Sequence, residues 1–463
     1  MIKCPWYSKS INAMSLVLPH HKNYNQVENS SLSQFGFNKS KTIQYNNTQC
    51  YYKTKHNHEV IKCYSYKISP SKYQQEILSR WFTLCNCVYN HCVIEFNKNS
   101  STFSSSYMKQ KLVVFKNLFG ENKKPVPYDV LTDVVKQFCT NIKSCFTNLK
   151  KKHIKHFKMK LIIKPISHSI LIPKKSINSS GFFPSIFGEI NGFEKIETDE
   201  IECDSRLIYK NGEFYLKCPM KVKTKTQDKN NIVALDPGER NFLAFYSPNE
   251  SGLIGTNLRE TILKIQTKIS IIDRAIARRR NRNGTKLKNL QKLKKRKRNY
   301  HTKIKNIVKE LHNQTSLYLV KNYSKILIPK FETQDMIKCY GKRYIKKLHE
   351  DLNDQPEKLF SEMKKINKIR RLSKKQKFVL NSLSHFSFRQ HLTHKCKEYN
   401  CELQVVTEEY TSKCCGACGM LSDNYTKRIK SCPYCGYSCD RDINGSRNIL
   451  LKNSVKNIRP CVV

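Results

Sequence analysis

Two pairs of cysteines have the most specific spacing for chemistry in this chain. Cys415-Gly416-Ala417-Cys418 and Cys432-Pro433-Tyr434-Cys435 are Cys-x-x-Cys knuckles separated by 13 residues. Each knuckle can bring two thiolates to one ion from a tight turn, and Gly419 and Gly436 stand just beyond, where the backbone needs a positive φ. Two knuckles make a closed, tetrahedral sulfur site. The expected cofactor is therefore one structural Zn²⁺ held by Cys415, Cys418, Cys432 and Cys435. Cys414 and Cys439 fall outside that spacing and are expected to be additional thiols. A ribbon of this size has too little core to fold without its metal.

The second group is acidic. Asp236 ends an apolar run, Glu408 and Glu409 end another, and Asp442 opens a helix. Each alone has an ordinary explanation: a strand-end acid solvates a loop, and Asp442 caps its helix. Together they follow the element order strand–hairpin, helices, strand, helix, strand, helix. That is the order of an RNase H-like fold, whose central strands present acids at one sheet edge. Such acids hold two divalent ions about 3.5–4 Å apart for phosphodiester hydrolysis. Hard oxygen ligands select Mg²⁺ or Mn²⁺.

The elements that must position these residues are legible in outline. Ile232-Val233-Ala234-Leu235 reads as a buried strand and Phe242–Tyr246 returns at hairpin distance. Ile262, Ile265, Ile269, Ile272 and Ile276 form one helical stripe, and Leu290, Tyr300, Ile304, Ile307 and Leu311 form a second, with Gly284 at the turn between. Lys325-Ile326-Leu327-Ile328 reads as a strand, Phe386, Phe388, Leu392 and Tyr399 as a helix, and Leu403, Val405 and Val406 as a last strand. Upstream, Tyr64, Tyr66 and Ile68 alternate as a strand, and a helix follows through Ile77, Leu78, Trp81 and Phe82. Short strand signals recur at Leu161–Ile163, Ser169–Ile172, Arg206–Tyr209 and Phe214–Leu216, with Asn211-Gly212 as a hairpin turn.

Charge narrows the function classes. The 463 residues hold 85 Lys and Arg against 36 Asp and Glu, a formal charge of +49. That balance suits a polyanionic partner, most simply nucleic acid, and not a small metabolite. Between positions 274 and 305 stand 15 Lys or Arg and no acid. A merely solvated face mixes both signs, so this hairpin is expected to lie along a phosphate backbone, with Arg278, Arg279, Arg280, Lys294, Lys295, Arg296, Lys297 and Arg298 as contacts. No apolar run approaches the roughly 18 residues of a membrane span, and no signal or transit peptide is readable. An intracellular protein with reduced cysteines is expected.

Three segments carry a family resemblance. Leu235-Asp236-Pro237-Gly238-Glu239-Arg240-Asn241, Tyr410–Gly419 (through Thr411-Ser412-Lys413-Cys414-Cys415) and Asp440-Arg441-Asp442-Ile443-Asn444-Gly445-Ser446-Arg447-Asn448 resemble the TnpB/Fanzor family, transposon-encoded relatives of type V CRISPR nucleases. Lys67-Ile68-Ser69-Pro70 with Gln74, Trp81, Tyr89 and Asn90 is similar to its N-terminal signature. Asp204–Leu207 and Phe214–Leu216 match the strands before the nuclease. The likeness covers about 61–455. It implies an RNA-guided DNA endonuclease with a RuvC-type site, a guide RNA from the element's own flank and a double-stranded DNA target. By motif, Asp236 is the first and Asp442 the third RuvC carboxylate. The second strand departs from the TnpB pattern: Ile326-Leu327-Ile328 runs into Pro329-Lys330, with no Glu-Asp. Fanzor-type members resemble this chain in lacking it and use a glutamate upstream of Thr-Ser-Lys-Cys. Here that implies Glu408, then Glu409, with Glu332 as a third choice. The eukaryotic or giant-virus branch is implied, in the nucleus or cytoplasm of its host; Lys294–Arg298 also resembles a nuclear import signal.

The expected architecture is multidomain α/β plus β. A polar tail spans 1–60 and is expected to be poorly ordered. A small β-barrel, wedge-like domain takes 61–75 and 163–230, interrupted by a helical recognition insert over 76–162. An RNase H-like (RuvC) core takes 231–410 and 437–455, with the basic hairpin over 258–320. The zinc ribbon occupies 411–436 and a tail 456–463. The competing function is a catalytically decayed DNA- or RNA-binding accessory of transposition. A plain zinc-ribbon DNA-binding factor leaves Asp236, Asp442 and the β domain without a role.

Overall fold

The computed structural model describes residues 38–41, 59–98, 112, 126–163, 167–194, 196–225, 230–280, 287–337, 349, 352, 355–368, 372–422 and 428–455. The turn glycine Gly284, the 456–463 tail and all of the 1–58 segment except 38–41 lie outside these residues. Contacts divide the chain into two units, His58–Lys223 and Met1–Asn57 with Thr224–Val463. No helix among the described residues is long and apolar enough to cross a membrane.

The 1–60 segment does contribute structure: β1 (Asn38–Lys41) pairs antiparallel with a strand of the second unit, as set out below. The unit His58–Lys223 opens on β2 (Glu59–Ile68), followed by α1 (Lys72–Lys98) and α2 (Tyr128–Lys150). Then come β3 (Ser167–Ile172), β4 (Ser205–Lys210) and β5 (Glu213–Lys223). Asn211 and Gly212 both adopt positive φ, 56° and 88°, as the expected two-residue hairpin between β4 and β5 requires. The sheet order is β2-β5-β4-β3. This is an open four-stranded antiparallel sheet and not the expected closed barrel. Leu207, Leu216, Ile170 and Ile172 share a core with Trp81, Phe82 and Val88 of α1 and Phe138 of α2. Helices thus cover the face that a barrel would fold inward. No strand forms at 161–163 either. The Asn90 side chain donates from Nδ2 to the Ile162 carbonyl at 3.0 Å and accepts the Ile162 N–H at 2.7 Å, which takes the groups that a ladder needs.

The second unit is built on a six-stranded mixed sheet. Its strands are β6 (Ile232–Pro237), β7 (Leu243–Tyr246), β8 (Glu250–Ile254), β9 (Lys325–Pro329) and β10 (Glu402–Val406), with β1 at one edge. The order is β1-β8-β7-β6-β9-β10, antiparallel from β1 to β6 and parallel from β6 through β9 to β10. Helices α3 (Leu258–Arg280) and α4 (Leu287–Asn322) form the expected long pair. They are followed by α5 (Lys374–Leu383) and α6 (His385–Glu398) before β10. The small two-stranded ribbon β11 (Ile429–Ser431) and β12 (Ser438–Asp440) leads into α7 (Arg441–Val455).

Two cores explain the apolar runs. Val233, Leu235, Ile326 and Ile328 pack with Ile262, Ile269, Leu311, Phe388 and Leu392 of the long helices and α6. Ala234, Ala244, Leu327 and Val406 pack on the opposite face with Ile443, Ile449 and Leu450 of α7. The β6 and β9 strands are covered on both faces, so their sequences are continuously apolar rather than alternating. Side chains alternate between faces with period two. Asp236 therefore shares the α7 face with Ala234, and Glu408 follows two residues beyond Val406, past the end of β10.

Candidate active site and metal centre

The parallel register brings the acids to one edge. Leu327 is level with Ala234, and Pro329 with Val406. Carrying the first pair two residues on sets Asp236 level with Pro329 and hence with Val406, just before Glu408. The middle strand thus ends in an imino acid with no charge to offer, while the strands on either side of it lead into carboxylates. Asp442 arrives from the first turn of α7, where its backbone N–H donates to Asp440 Oδ1 at 2.9 Å. Asp440 is buried and held by Arg428 Nε at 3.1 Å.

Electrostatics reports the same convergence. Burial raises the Asp236 carboxyl well above the usual aspartate range, and the charges of Asp442 and then Glu408 raise it further, against a smaller opposing effect from Arg441. Asp442 is raised by desolvation and by Asp440, while the Asn241 amide, donating to its Oδ2 at 3.0 Å, favours the charged form. Glu408 is exposed as a residue, yet desolvation of its carboxyl and the charge of Glu409 raise it as well. Asp442 and Glu408 thus both stand near enough to Asp236 for their charges to be felt there, and carboxylate oxygens are the hard donors that a divalent cation takes. The helix also makes room for Asp236: a Cβ on Gly445 would collide with Asp236 Oδ2, so a larger residue there would force the carboxylate to shift.

The other acids are engaged elsewhere. Glu409 is ion-paired with Lys452 of α7, and that bond lowers its pKa. Glu332 is exposed and pairs with Lys330 at 2.5 Å. The turn after Asp236 is braced from α6, because buried His385 holds the Gly238 carbonyl through Nε2 at 3.0 Å. Burial drives that imidazole down to about 3, so it is neutral and Nε2–H is the donor. It stacks on Phe242, centroid to centroid 5.0 Å.

The four cysteines come together as one cluster. Their sulfurs all lie within 4.8 Å of one another. Cys415 Sγ is 3.8 Å from Cys435 Sγ and Cys418 Sγ is 3.6 Å from Cys432 Sγ. A tetrahedron with Zn–S of about 2.3 Å has S···S edges of about 3.8 Å, close to these two distances, so the cluster could hold zinc. Gly419 and Gly436 adopt φ of 74° and 70°, as the knuckle turns require. Cys414 points away, its thiol against the Cys415 and Gly419 carbonyls at 3.5 Å. We expect Cys415→Ser or Cys432→Ser to lose one zinc per chain and to loosen α7, read by elemental analysis and thermal melting. Unchanged zinc in both variants would remove the assignment.

The buried polar residues of α7 were not legible as individual roles. Asn444 donates to the Cys414 carbonyl and accepts the Gly416 N–H, both at 2.9 Å. Arg447, 1% exposed, donates to the Tyr437 hydroxyl at 3.0 Å and lies over the Tyr437 and Tyr246 rings. Lys430, 2% exposed, donates to the Cys414 carbonyl at 2.6 Å beside the thiol cluster. The sequence signal for Asn444 and Arg447 is polar residues interleaved with Ile443, Ile449 and Leu450 along α7, while Lys430 lies on β11.

The basic residues sit on the helix pair. Arg278, Arg279, Lys294, Lys295, Arg296 and Arg298 are exposed, while Lys297 is half-buried and pairs with Asp273 at 2.6 Å. The side chain of Arg280 lies outside the described residues.

Comparison with known proteins gives one family model, "Cas12f1-like, TNB domain", matching residues 385–449, the stretch from His385 through the cysteine cluster into α7. Two viral proteins match most of the chain. A protein named "Putative transposase" of Paramecium bursaria Chlorella virus 1 is 26% identical over 97% of this chain and 94% of its own length. A "TnpB-like protein" of Acanthamoeba polyphaga mimivirus is 28% identical over 83% of this chain and 72% of its own. A solved Cas12f1–sgRNA–target DNA complex is similar with 15% identity and a TM-score of 0.39, covering 81% of this chain and 82% of that one. The family model covers the stretch that holds Cys415 and Asp442, and the viral matches run over most of the chain: the protein is similar to TnpB-like proteins and putative transposases of giant viruses.

Proposed function

We propose that the chain is a transposon-associated, RNA-guided DNA endonuclease that hydrolyses phosphodiester bonds at a RuvC-type site formed by Asp236, Glu408 and Asp442. The observation that supports the reading is that Asp442 of α7 and Glu408, just beyond β10, both lie near enough to Asp236 at the end of β6 to raise its pKa. The sheet, four antiparallel strands joined to two parallel ones, is what an RNase H-like core needs to bring acids from separate strands together. Bound Mg²⁺ would supply water activation and charge stabilisation of the leaving oxygen. The three carboxylates would hold the ions, the Asn241 amide orients Asp442 and favours its charged form, and His385 braces the turn after Asp236. Four cysteines would hold one structural zinc beside this edge.

The partners follow from charge and kinship. A formal charge of +49, with the exposed bases of α3 and α4, favours long phosphate backbones, guide RNA and duplex DNA alike. The viral relatives named for TnpB and for transposition favour a mobile-element setting. The test is to sequence the RNA that copurifies with the full-length chain and to offer that complex a matching DNA duplex with Mg²⁺. We expect a discrete RNA and cutting that needs both the match and the metal. RNA of random sequence, or cutting indifferent to the match, would overturn guidance.

A further inference from the structure

Asn448 occupies a fully buried position on α7 where an apolar side chain would avoid desolvating an amide. Its Oδ1 is buried with no hydrogen-bond partner among the described residues, so the amide is there for what it donates. Nδ2 donates to two carbonyls of the segment that leaves β10, to Thr411 at 2.9 Å and to Cys414 at 2.8 Å. Thr411 is itself buried, 3% exposed, and its hydroxyl donates to the Glu408 carbonyl at 2.8 Å, with its own N–H on that same carbonyl at 3.3 Å. One turn earlier on the helix, Asn444 also holds the Cys414 carbonyl. The residue after Asn444 is Gly445, which packs directly against Asp236, and two residues before Asn444 is Asp442.

A short chain of buried bonds therefore connects the backbone of Glu408, through Thr411 and Asn448, to the helix that carries Asp442 and abuts Asp236. Glu408 lies two residues beyond the last ladder pair of its strand, where the sheet no longer fixes it. Something else must fix it if its side chain is to cover the place beside Pro329. We propose that Thr411 and Asn448 are positioning residues for Glu408. They set its distance from Asp236 and Asp442 and thereby the affinity of the edge for a divalent cation. The proposal rests on the reading that these three acids hold that cation.

The test measures Mn²⁺ binding to the full-length chain by the electron paramagnetic resonance of free Mn²⁺, alongside zinc content. Wild type against Asp236→Asn reports on the carboxylate reading: tight Mn²⁺ binding should disappear in the variant. Thr411→Val and Thr411→Ser report on the positioning. Loss of the hydroxyl should weaken Mn²⁺ binding by about 10–100-fold with one zinc per chain retained, as removal of an orienting hydrogen bond does at metal sites. Thr411→Ser, which keeps the hydroxyl, should bind as wild type, and Asn448→Ala should behave as Thr411→Val. Wild-type Mn²⁺ affinity in Thr411→Val, equal weakening in Thr411→Ser, or zinc lost in step with Mn²⁺ would each overturn the proposal. Equal Mn²⁺ binding by wild type and Asp236→Asn would overturn the carboxylate reading and the positioning with it.

Discussion

Replacing Asp236 by asparagine should abolish Mg²⁺-dependent cleavage and, in the metal-free protein at neutral pH, raise the melting temperature. The two effects have one cause. Burial and the charges of Asp442 and Glu408 hold the Asp236 carboxyl at a raised pKa. The folded state then binds more protons than the unfolded chain does, so stability falls as pH rises from about 4, the unfolded aspartate value, through that raised pKa. Asparagine carries no charge and escapes this loss. The gain should vanish below about pH 4, where both states are protonated, and each kcal/mol recovered is worth roughly 2–4 °C in a domain of this size. Adding Mg²⁺ should raise the melting temperature of wild type and leave the variant unmoved. Removal of one ion-holding charge forfeits several kcal/mol of transition-state stabilisation, on the order of 10³-fold in rate. Thermal melting at several pH values with and without Mg²⁺ checks the first half. A variant that melts lower than wild type at neutral pH would mean that Asp236 is stabilising and not strained.

What the sequence made legible was set by local physics. Val233–Leu235 and Ile326–Ile328 announced central strands because burial on both faces leaves no polar position. Asn211-Gly212 announced its hairpin because few residues tolerate two successive positive φ angles. The knuckles announced the sulfur cluster because four thiolates must reach one point from two tight turns. Where the outcome depended on distant partners, the reading went astray. The 161–163 run is apolar enough for a strand, but the Asn90 amide intercepts its backbone from 72 residues away. Barrel closure depends on whether edge strands meet, and helices α1 and α2 cover that face instead. Asn38–Lys41 has no strand pattern at all and is held by backbone pairing to Glu250–Leu253. The roles of Asn444, Asn448 and Arg447 were hidden because each bonds a backbone carbonyl, a hydroxyl or an aromatic face that no spacing rule specifies.

The choice among glutamates is the finest distinction at the site, and the surroundings of each separate them. Glu409 is neutralised by Lys452, Glu332 is exposed and paired with Lys330, and only Glu408 among the three raises the pKa of Asp236. Pro329 leaves the middle strand without an acid, and strands lie about 4.8 Å apart, so Asp236 and a side chain from beyond β10 must together close roughly two strand spacings to share an ion. Glutamate from a residue just past the strand end has the length and freedom for that; aspartate would fall short. On the proposed function, Glu408 is the carboxylate that completes the nuclease site. Cleavage of matched duplex DNA by the RNA-loaded protein, with Mg²⁺, should be measured for wild type, Glu408→Gln, Glu409→Gln and Glu332→Gln. Glu408→Gln should bind RNA and DNA as wild type does and cut about 10³-fold more slowly or not at all, while the other two still cut. Cutting by Glu408→Gln at the wild-type rate, or no cutting by wild type with its own RNA, would contradict the proposed function.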